Sequence, residues 1–477
     1  VAAQRLRYYS VLSTTTAGSG HPSTCLSMAD FMAVLAYNKM VWGHDEIVLS
    51  KGHAAPILWT LYAELGKIKH AQLSTLRQNG SVLEGHPTPR MNSVKVATGS
   101  LGMGLANAIG ISYGKRRVYV VMGDGECAEG SVWESAAIAS RLDRPITCIV
   151  DVNGQGQTGD TPVSPKQLAN RFKAFGWKTH IVDGHNIAKL DALDWSTGQT
   201  AIICKTVKGK GVKLIEGNHG WHGKPLSLEQ CGDALDEIGC EDVTLDFYVG
   251  DTSVKKRKRS YKKPRVTDVS PRVMFGQTLA SVNDTHVMAI DADVGNSTHL
   301  GLYTKKYPKR SIQCYIAEQS MVGIASGLSS IGYTPVLSTF AAFFTRAYDQ
   351  LRMAAVSGSN MLCVGSHAGC HIGADGASQM GLEDLGMFRS IPSSVILYPS
   401  DALSTMKCTE LLLKHPHVRY LRTTRSKLPQ LYGHSTTFKI GGYHVHGKGR
   451  RDQITILAAG VTVHEALAVA RLYPNIR

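Results

Sequence analysis

The chain has 477 residues, 43% of them hydrophobic and 48 of them glycine, with a formal net charge of +15. This length supports two or three domains with sizeable apolar cores, and a glycine-rich, aromatic-poor chain in which strands alternate with helices reads as α/β rather than all-α or all-β. No apolar run approaches the length of a membrane span, and the opening VAAQRLRYYS does not read as a signal peptide, so we expect no membrane partner and a cytoplasmic location. The ten cysteines lack a CxxC pair, the pattern of reduced, mostly buried thiols. The positive balance suits anionic small ligands. The sharpest basic run, KKRKRSYKKPR at 255–265, reads as a solvated linker rather than a nucleic-acid patch, because no RNA- or DNA-binding module accompanies it.

Residues 1–230 read as a first βα array. Val118 to Met122 is an apolar run of the kind that forms a buried parallel strand, and Gly123–Gly125 is the turn at its carboxyl end. A helix is predicted over 131–141 and a second apolar strand from Ile146 to Val152, ending at Asn153. Asp124 and Asn153 thus stand at the carboxyl ends of strands in one βαβ unit, where open α/β sheets bind ligands. A carboxylate and an amide oxygen placed there can hold a hard cation that keeps positions free for diphosphate oxygens. Residues 231–265 lose hydrophobic periodicity and turn acidic, then strongly basic, which marks a linker. A second array follows over 266–435, with strands expected at 286–291, 312–316, 361–366 and 394–398. In 436–477 a strand is expected over 453–459 and, after Gly460, a helix over 464–472. His367, Cys370 and His371 would suit a metal, but their loop context argues against a cluster.

The segments AGSGHPST (17–24), LSKGHAAP (49–56), EGHPTPR (84–90), ATGSLGMGL (97–105) and GDGECAEGSVWE (123–134) together resemble transketolase, of the animal type. So do KGKGV (208–212), WHGKPL (221–226), YIAEQSM (315–321), STFAAFFTRAYDQ (338–350), FRSIPSS (388–394) and YPSD (398–401). The resemblance implies two thiamine-diphosphate-binding-type domains with mostly parallel sheets flanked by helices. They are a diphosphate- and metal-binding domain at 1–230 and an aminopyrimidine-binding domain at 266–435. Residues 436–477 then match the start of a third α/β domain, incomplete against the family; several loops are also shorter, and we expect unrepresented segments rather than a truncated paralogue.

By the same resemblance the cofactors are thiamine diphosphate and Mg2+ or Ca2+, the latter held by Asp124, Asn153 and the carbonyl of Gln155. Thr24, His53, Gly125, Asn153 and Lys208 match diphosphate and thiazolium contacts. Gly99, Ser100 and Leu101 match the loop that approaches the cofactor, and Asp293 a carboxylate near it. Phe340 and Phe343 match the aromatics around the aminopyrimidine, and Gln379 a nearby contact. Glu318 matches the acid that shares a proton with a ring nitrogen, a task helped by burial. His21, His86 and His222 match a catalytic and substrate-binding set able to bind sugar hydroxyls and move protons. Arg272, Ser297, His367 and Arg425 match a phosphate site, for which arginine forks are suited, and Asp375 the reader of the donor hydroxyl.

The implied activity is transfer of a two-carbon ketol unit between sugar phosphates in the pentose phosphate pathway, by a homodimer whose sites are shared between subunits. Another thiamine-diphosphate ketol transferase, or a catalytically impaired scaffold subunit, are the alternatives. The family's Glu-Asp-Gly-Pro is here Ala374-Asp375-Gly376-Ala377, and its Gln is Met103; neither change removes a reacting group.

Overall fold

The computed structural model describes residues 1–240, 260–261, 269–446, 452–473 and 475–476. Its contacts divide the chain into two units, Val1–Val254 and Lys255–Arg477. The first holds a five-stranded sheet of β1 (Glu46–Leu49), β2 (Val118–Gly123), β3 (Ile146–Val152), β4 (Lys178–Asp183) and β5 (Thr200–Lys205), in the order β1-β2-β3-β5-β4 with every pair parallel. Every residue of β2 and β3 is buried, as central strands covered on both faces must be, whereas the edge strand β4 is largely open. The register sets Gly123 beside Asp151. Helices Pro22–Val34, Ala55–Glu64 and Gly104–Ile111 are buried on all sides, which explains their nearly uniform apolar and small-residue sequences.

The expected linker gives way at its start to a helix, Leu228–Ile238. Ser227 and Gln230 form a reciprocal cap at its start, and Cys231, Ala234 and Ile238 pack with Val11, Leu26 and Ile215. Residues 231–238 therefore belong to the first unit. Of the basic run only Ser260 and Tyr261 are described, as β6, paired antiparallel with β7 (Val282–Asn283); the rest lies outside the described residues.

The second unit is built on a six-stranded parallel sheet of β8 (Val287–Asp291), β9 (Ser311–Gln313), β10 (Thr334–Phe340), β11 (Met361–Ser366), β12 (Val395–Leu397) and β13 (Val418–Arg422), in the order β12-β13-β11-β10-β8-β9. β9 stops at Gln313, short of the expected 316. Tyr315 turns into the left-handed region (φ +58), which ends extension, and Ile316 is 78% exposed. The expected strand at 453–459 does not join a sheet: only an isolated bridge, Ile454 to Ile476, forms there, and Leu457 is 93% exposed. The helix that follows is Thr462–Leu472.

Truncating Ile149, fully buried in β3, should cost about 2–5 kcal/mol, because the lost transfer energy is joined by an unfilled cavity. Ile181→Ala in the open strand β4, where the side chain is 48% exposed, should stay within about 0.5 kcal/mol. Urea unfolding of the two variants checks this contrast.

Candidate functional site

In the first unit the turn after β2 places Asp124 with three donors on its carboxylate. Oδ1 accepts from Gly125 N (2.8 Å), and Oδ2 accepts from Gly154 N (2.9 Å) and Thr161 Oγ1 (2.9 Å). Burial, then the charge of Asp151, push its pKa up. Asn153 follows β3 directly and its Oδ1 accepts from Gln155 N (3.1 Å). The Gln155 carbonyl accepts from Lys208 Nζ (3.2 Å), which also donates to Gly156 O (3.1 Å) and to His222 Nδ1 (3.0 Å). Lys208 is buried, and that burial, with the charge of Lys51, lowers its pKa to about 8.

Four imidazoles gather beside this lysine. Ring centroids lie 5.2 Å apart for His21–His53, 5.2 Å for His21–His222, 5.1 Å for His53–His222 and 6.4 Å for His21–His86. Burial, then neighbouring positive groups, lower His21 and His222 to about 4, and push His53 and His86 down as well. The cluster is therefore neutral at pH 7. Because His222 Nδ1 accepts from Lys208, its Nε2 carries the proton and is a donor.

The loop bearing Gly99, Ser100 and Leu101 lies against this cluster. Gly99 has φ +125, and a Cβ there would stand 2.8 Å from His86 Cδ2, so only glycine fits. Leu101 is 37% exposed. A buried Glu126 fixes the base of the loop, accepting from Gly102 N (2.8 Å), Gly123 N (3.2 Å) and Ser50 Oγ.

The residues present fit a cation and a diphosphate. Asp124, Asn153 and the Gln155 carbonyl offer hard oxygen donors. Among the described residues the buried Thr24 Oγ1 and His21 Nδ1 have no hydrogen-bond partner, a state that costs free energy unless a ligand supplies one.

In the second unit Glu318 is the first residue of helix Glu318–Ser330 and only 5% exposed, with Arg346 Nε 3.9 Å from Oε2. That helix packs on β10 and on the turn Ala342–Ala347, which carry Phe340 and Phe343. Phe340 lies between Phe343 (centroids 4.9 Å apart) and His367 (4.0 Å), both stacked on it. His367, at the end of β11, has φ +56, and burial, then Arg272 and Arg425, lower its pKa to about 4. Arg272 donates to Ser297 O (2.7 Å) and lies 3.4 Å from His367 Nε2; Arg425 pairs with Asp375 (3.3 Å). These groups form one cationic patch. Asp293, at the end of β8, is exposed, with its N–H on Gln313, and Gln379 contacts Ser378 (3.4 Å) further along the Asp375 loop.

Sequence reasoning passed over Lys51, Asp151 and Glu126. Of these Asp151 alone had a signal, an acid inside the apolar run 146–152 predicted to be a buried strand, where an unpaired charge is costly.

Comparison with known proteins bears on the family and the fold. The family model "Transketolase, thiamine diphosphate binding domain" matches residues 1–266, and "Transketolase, pyrimidine binding domain" matches residues 268–430. Human transketolase is 43% identical over 98% of this chain and 81% of its own length. Mouse transketolase-like protein 2 is 41% identical over 98% and 80%. The transketolase of Campylobacter jejuni superposes with a TM-score of 0.87 over 99% of this chain and 86% of its own, at 24% identity. That of Leishmania mexicana gives 0.84 over 100% and 85%, at 22% identity.

Two outcomes are expected. Asp124→Ala should lower thiamine diphosphate affinity, measured calorimetrically with Mg2+, by at least about tenfold, or about 1.4 kcal/mol. Because the folded-state pKa values of His21 and His222 lie below the ordinary 6.5, the unfolded chain binds more protons between about 6.5 and 4. Stability should thus fall as pH drops through that window. Thermal melts of a His21→Asn, His222→Asn double variant should show a shallower fall.

Proposed function

The chain belongs to the transketolase family, and on that premise we propose that it is an active transketolase, moving a two-carbon ketol unit from a ketose phosphate such as xylulose 5-phosphate to an aldose phosphate such as ribose 5-phosphate. The observation that carries this reading is the neutral cluster of His21, His53, His86 and His222 beside Lys208. Packing four desolvated imidazoles around a buried ammonium gives a scaffold nothing, whereas a sugar needs neutral donors and acceptors at its hydroxyls.

Thiamine diphosphate, when bound, supplies the carbon nucleophile and the electron sink for the two-carbon unit. Asp124, Asn153 and the Gln155 carbonyl would hold Mg2+ or Ca2+, and Thr24 and Lys208 would donate to the diphosphate oxygens. Glu318, with its carboxyl group buried, would share a proton with the aminopyrimidine, and Phe340 and Phe343 would lie beside that ring. His222 donates from Nε2, and His21 and His86 bind or relay protons at the sugar hydroxyls. Arg272, Arg425, Ser297 and His367 take the terminal phosphate, whose two negative charges match paired guanidinium groups. Asp375 reads the donor hydroxyl.

The competing reading is a family member without turnover; it draws on relatives named transketolase-like at 41% identity. A coupled assay with xylulose 5-phosphate and ribose 5-phosphate, with and without added cofactor, separates the two. In the active case Glu318→Gln should bind cofactor nearly as the parent does while turnover drops about 10²–10⁴-fold, the usual weight of a positioned acid or base.

We further propose a homodimer with shared sites: Asp124 and Glu318 belong to different units, and the family resemblance sets each half-site against the other subunit. Its interface should bury well over ~2,000 Å², as obligate interfaces do. Mixing inactive Asp124→Ala and Glu318→Gln chains should restore part of the activity. Subunit exchange without such recovery, or a sedimenting active monomer, would rule sharing out.

A further inference from the structure

Asp151 is fully buried one residue before the end of β3, paired in register with Gly123 and Cys204. Its carboxylate accepts four hydrogen bonds from four separate parts of the first unit. Oδ2 takes Ser27 Oγ (2.8 Å), Lys51 Nζ (2.6 Å) and Asn153 Nδ2 (3.0 Å), while Oδ1 takes Thr206 Oγ1 (2.5 Å). Lys51 is 2% exposed, and its Nζ passes 3.8 Å from where a Cβ on Gly123 would stand.

A buried ion pair is a poor device for stability, because well-packed apolar residues of the same volume commonly do as well or better. The pair Lys51–Asp151 needs another reason, and its contact with Asn153 supplies one. A primary amide has one accepting end and one donating end. By engaging the donating end, Asp151 leaves the oxygen of Asn153 on the Gly154–Gln155 loop, where it accepts from Gln155 N and where Gly154 N is already held by Asp124. A hard cation takes an oxygen and never an amide nitrogen, so the orientation decides whether Asn153 is a ligand at all. Outer partners that fix a ligand's orientation commonly contribute about 10–100-fold to metal affinity.

We infer that Asp151, charge-balanced by Lys51, is a positioning residue that locks the Asn153 amide with its oxygen presented as a cation ligand; this rests on the cofactor-and-cation reading proposed above. Asp151 touches neither substrate nor cofactor and acts only through Asn153.

The test is calorimetric titration of the full chain with thiamine diphosphate in the presence of Mg2+, with circular dichroism melts to show that each variant is folded. Lys51→Met with Asp151→Leu removes the charge pair together and takes away the acceptor, and should weaken binding about tenfold or more. Asn153→Asp alone should also weaken it about tenfold, despite adding a charged ligand, because the new carboxylate faces Asp151. Combined, the three substitutions should recover affinity to within about threefold of the parent, since a carboxylate presents an oxygen in either orientation.

A purely packing role for Asp151 predicts no such reversal of sign. The inference is overturned if the folded Lys51→Met, Asp151→Leu chain binds within about twofold of the parent, if adding Asn153→Asp to it restores nothing, or if Asn153→Asp alone tightens binding. The last measurement stands by itself should the double variant not fold. If instead the parent chain does not bind the cofactor, or Asp124→Ala binds as tightly as the parent, the reading beneath the inference falls, and the inference with it.

Discussion

Parallel pairing of β2 with β3 sets the geometry of the first unit. In the observed register Gly123 stands beside Asp151, so the turn carrying Asp124 and the loop beginning at Asn153 leave the sheet at the same height. A slip of one residue would turn every side chain on one strand to the opposite face. Asp151 would then leave the pocket formed by Ser27, Lys51 and Thr206, and Asn153 would lose its orientation. Three ionisable side chains (Lys51, Asp151 and Glu126) are buried around this one turn: Asp151 and Glu126 each take partners from several elements, and Lys51 pairs with Asp151. Placing charge there is unfavourable unless all partners arrive together, which favours this register over its neighbours.

The second unit adds backbone strain where its strands end. Its candidate residues also sit where parallel strands end, at Asp293 after β8, Phe340 on β10 and His367 after β11. Asp293 and His367 both adopt left-handed backbone (φ +65 and +56), a conformation disfavoured for residues with a side chain. Strain at this level persists only where surrounding contacts hold it. At His367 those contacts are the stacked Phe340 ring and the Ser366 hydroxyl, 2.9 Å from Nδ1.

What could be read from the sequence follows from how strongly each element declares itself. β2, β3 and β11 are predominantly apolar runs, and their bounds came within a residue of the prediction. β10 is as central as β11 but contains Pro335, Ser338 and Thr339, all buried, and its polarity concealed it. β4 alternates weakly at an open edge and gave no signal. The run at 453–459 looked like a strand because it is apolar, yet a strand also needs a neighbour, and pairing is not visible in composition. Among the site residues, motifs marked those proposed to touch a ligand. Those that hold a ligand-touching residue in place, such as Asp151 or Glu126, became visible only once the partners of buried polar atoms were traced.

The contact between Gly99 and His86 bears on how this family can change over generations. Any side chain at position 99 must push aside the His86 ring, proposed to act on the sugar, and must strain a backbone at φ +125, while the packing of the core is untouched. Drift at such a position is filtered by catalysis as well as by local backbone strain. A lineage released from the need for turnover should therefore accept replacements at 99 while its core strands remain under selection, and the residue found there becomes a record of whether the ancestors of a given copy were still working enzymes.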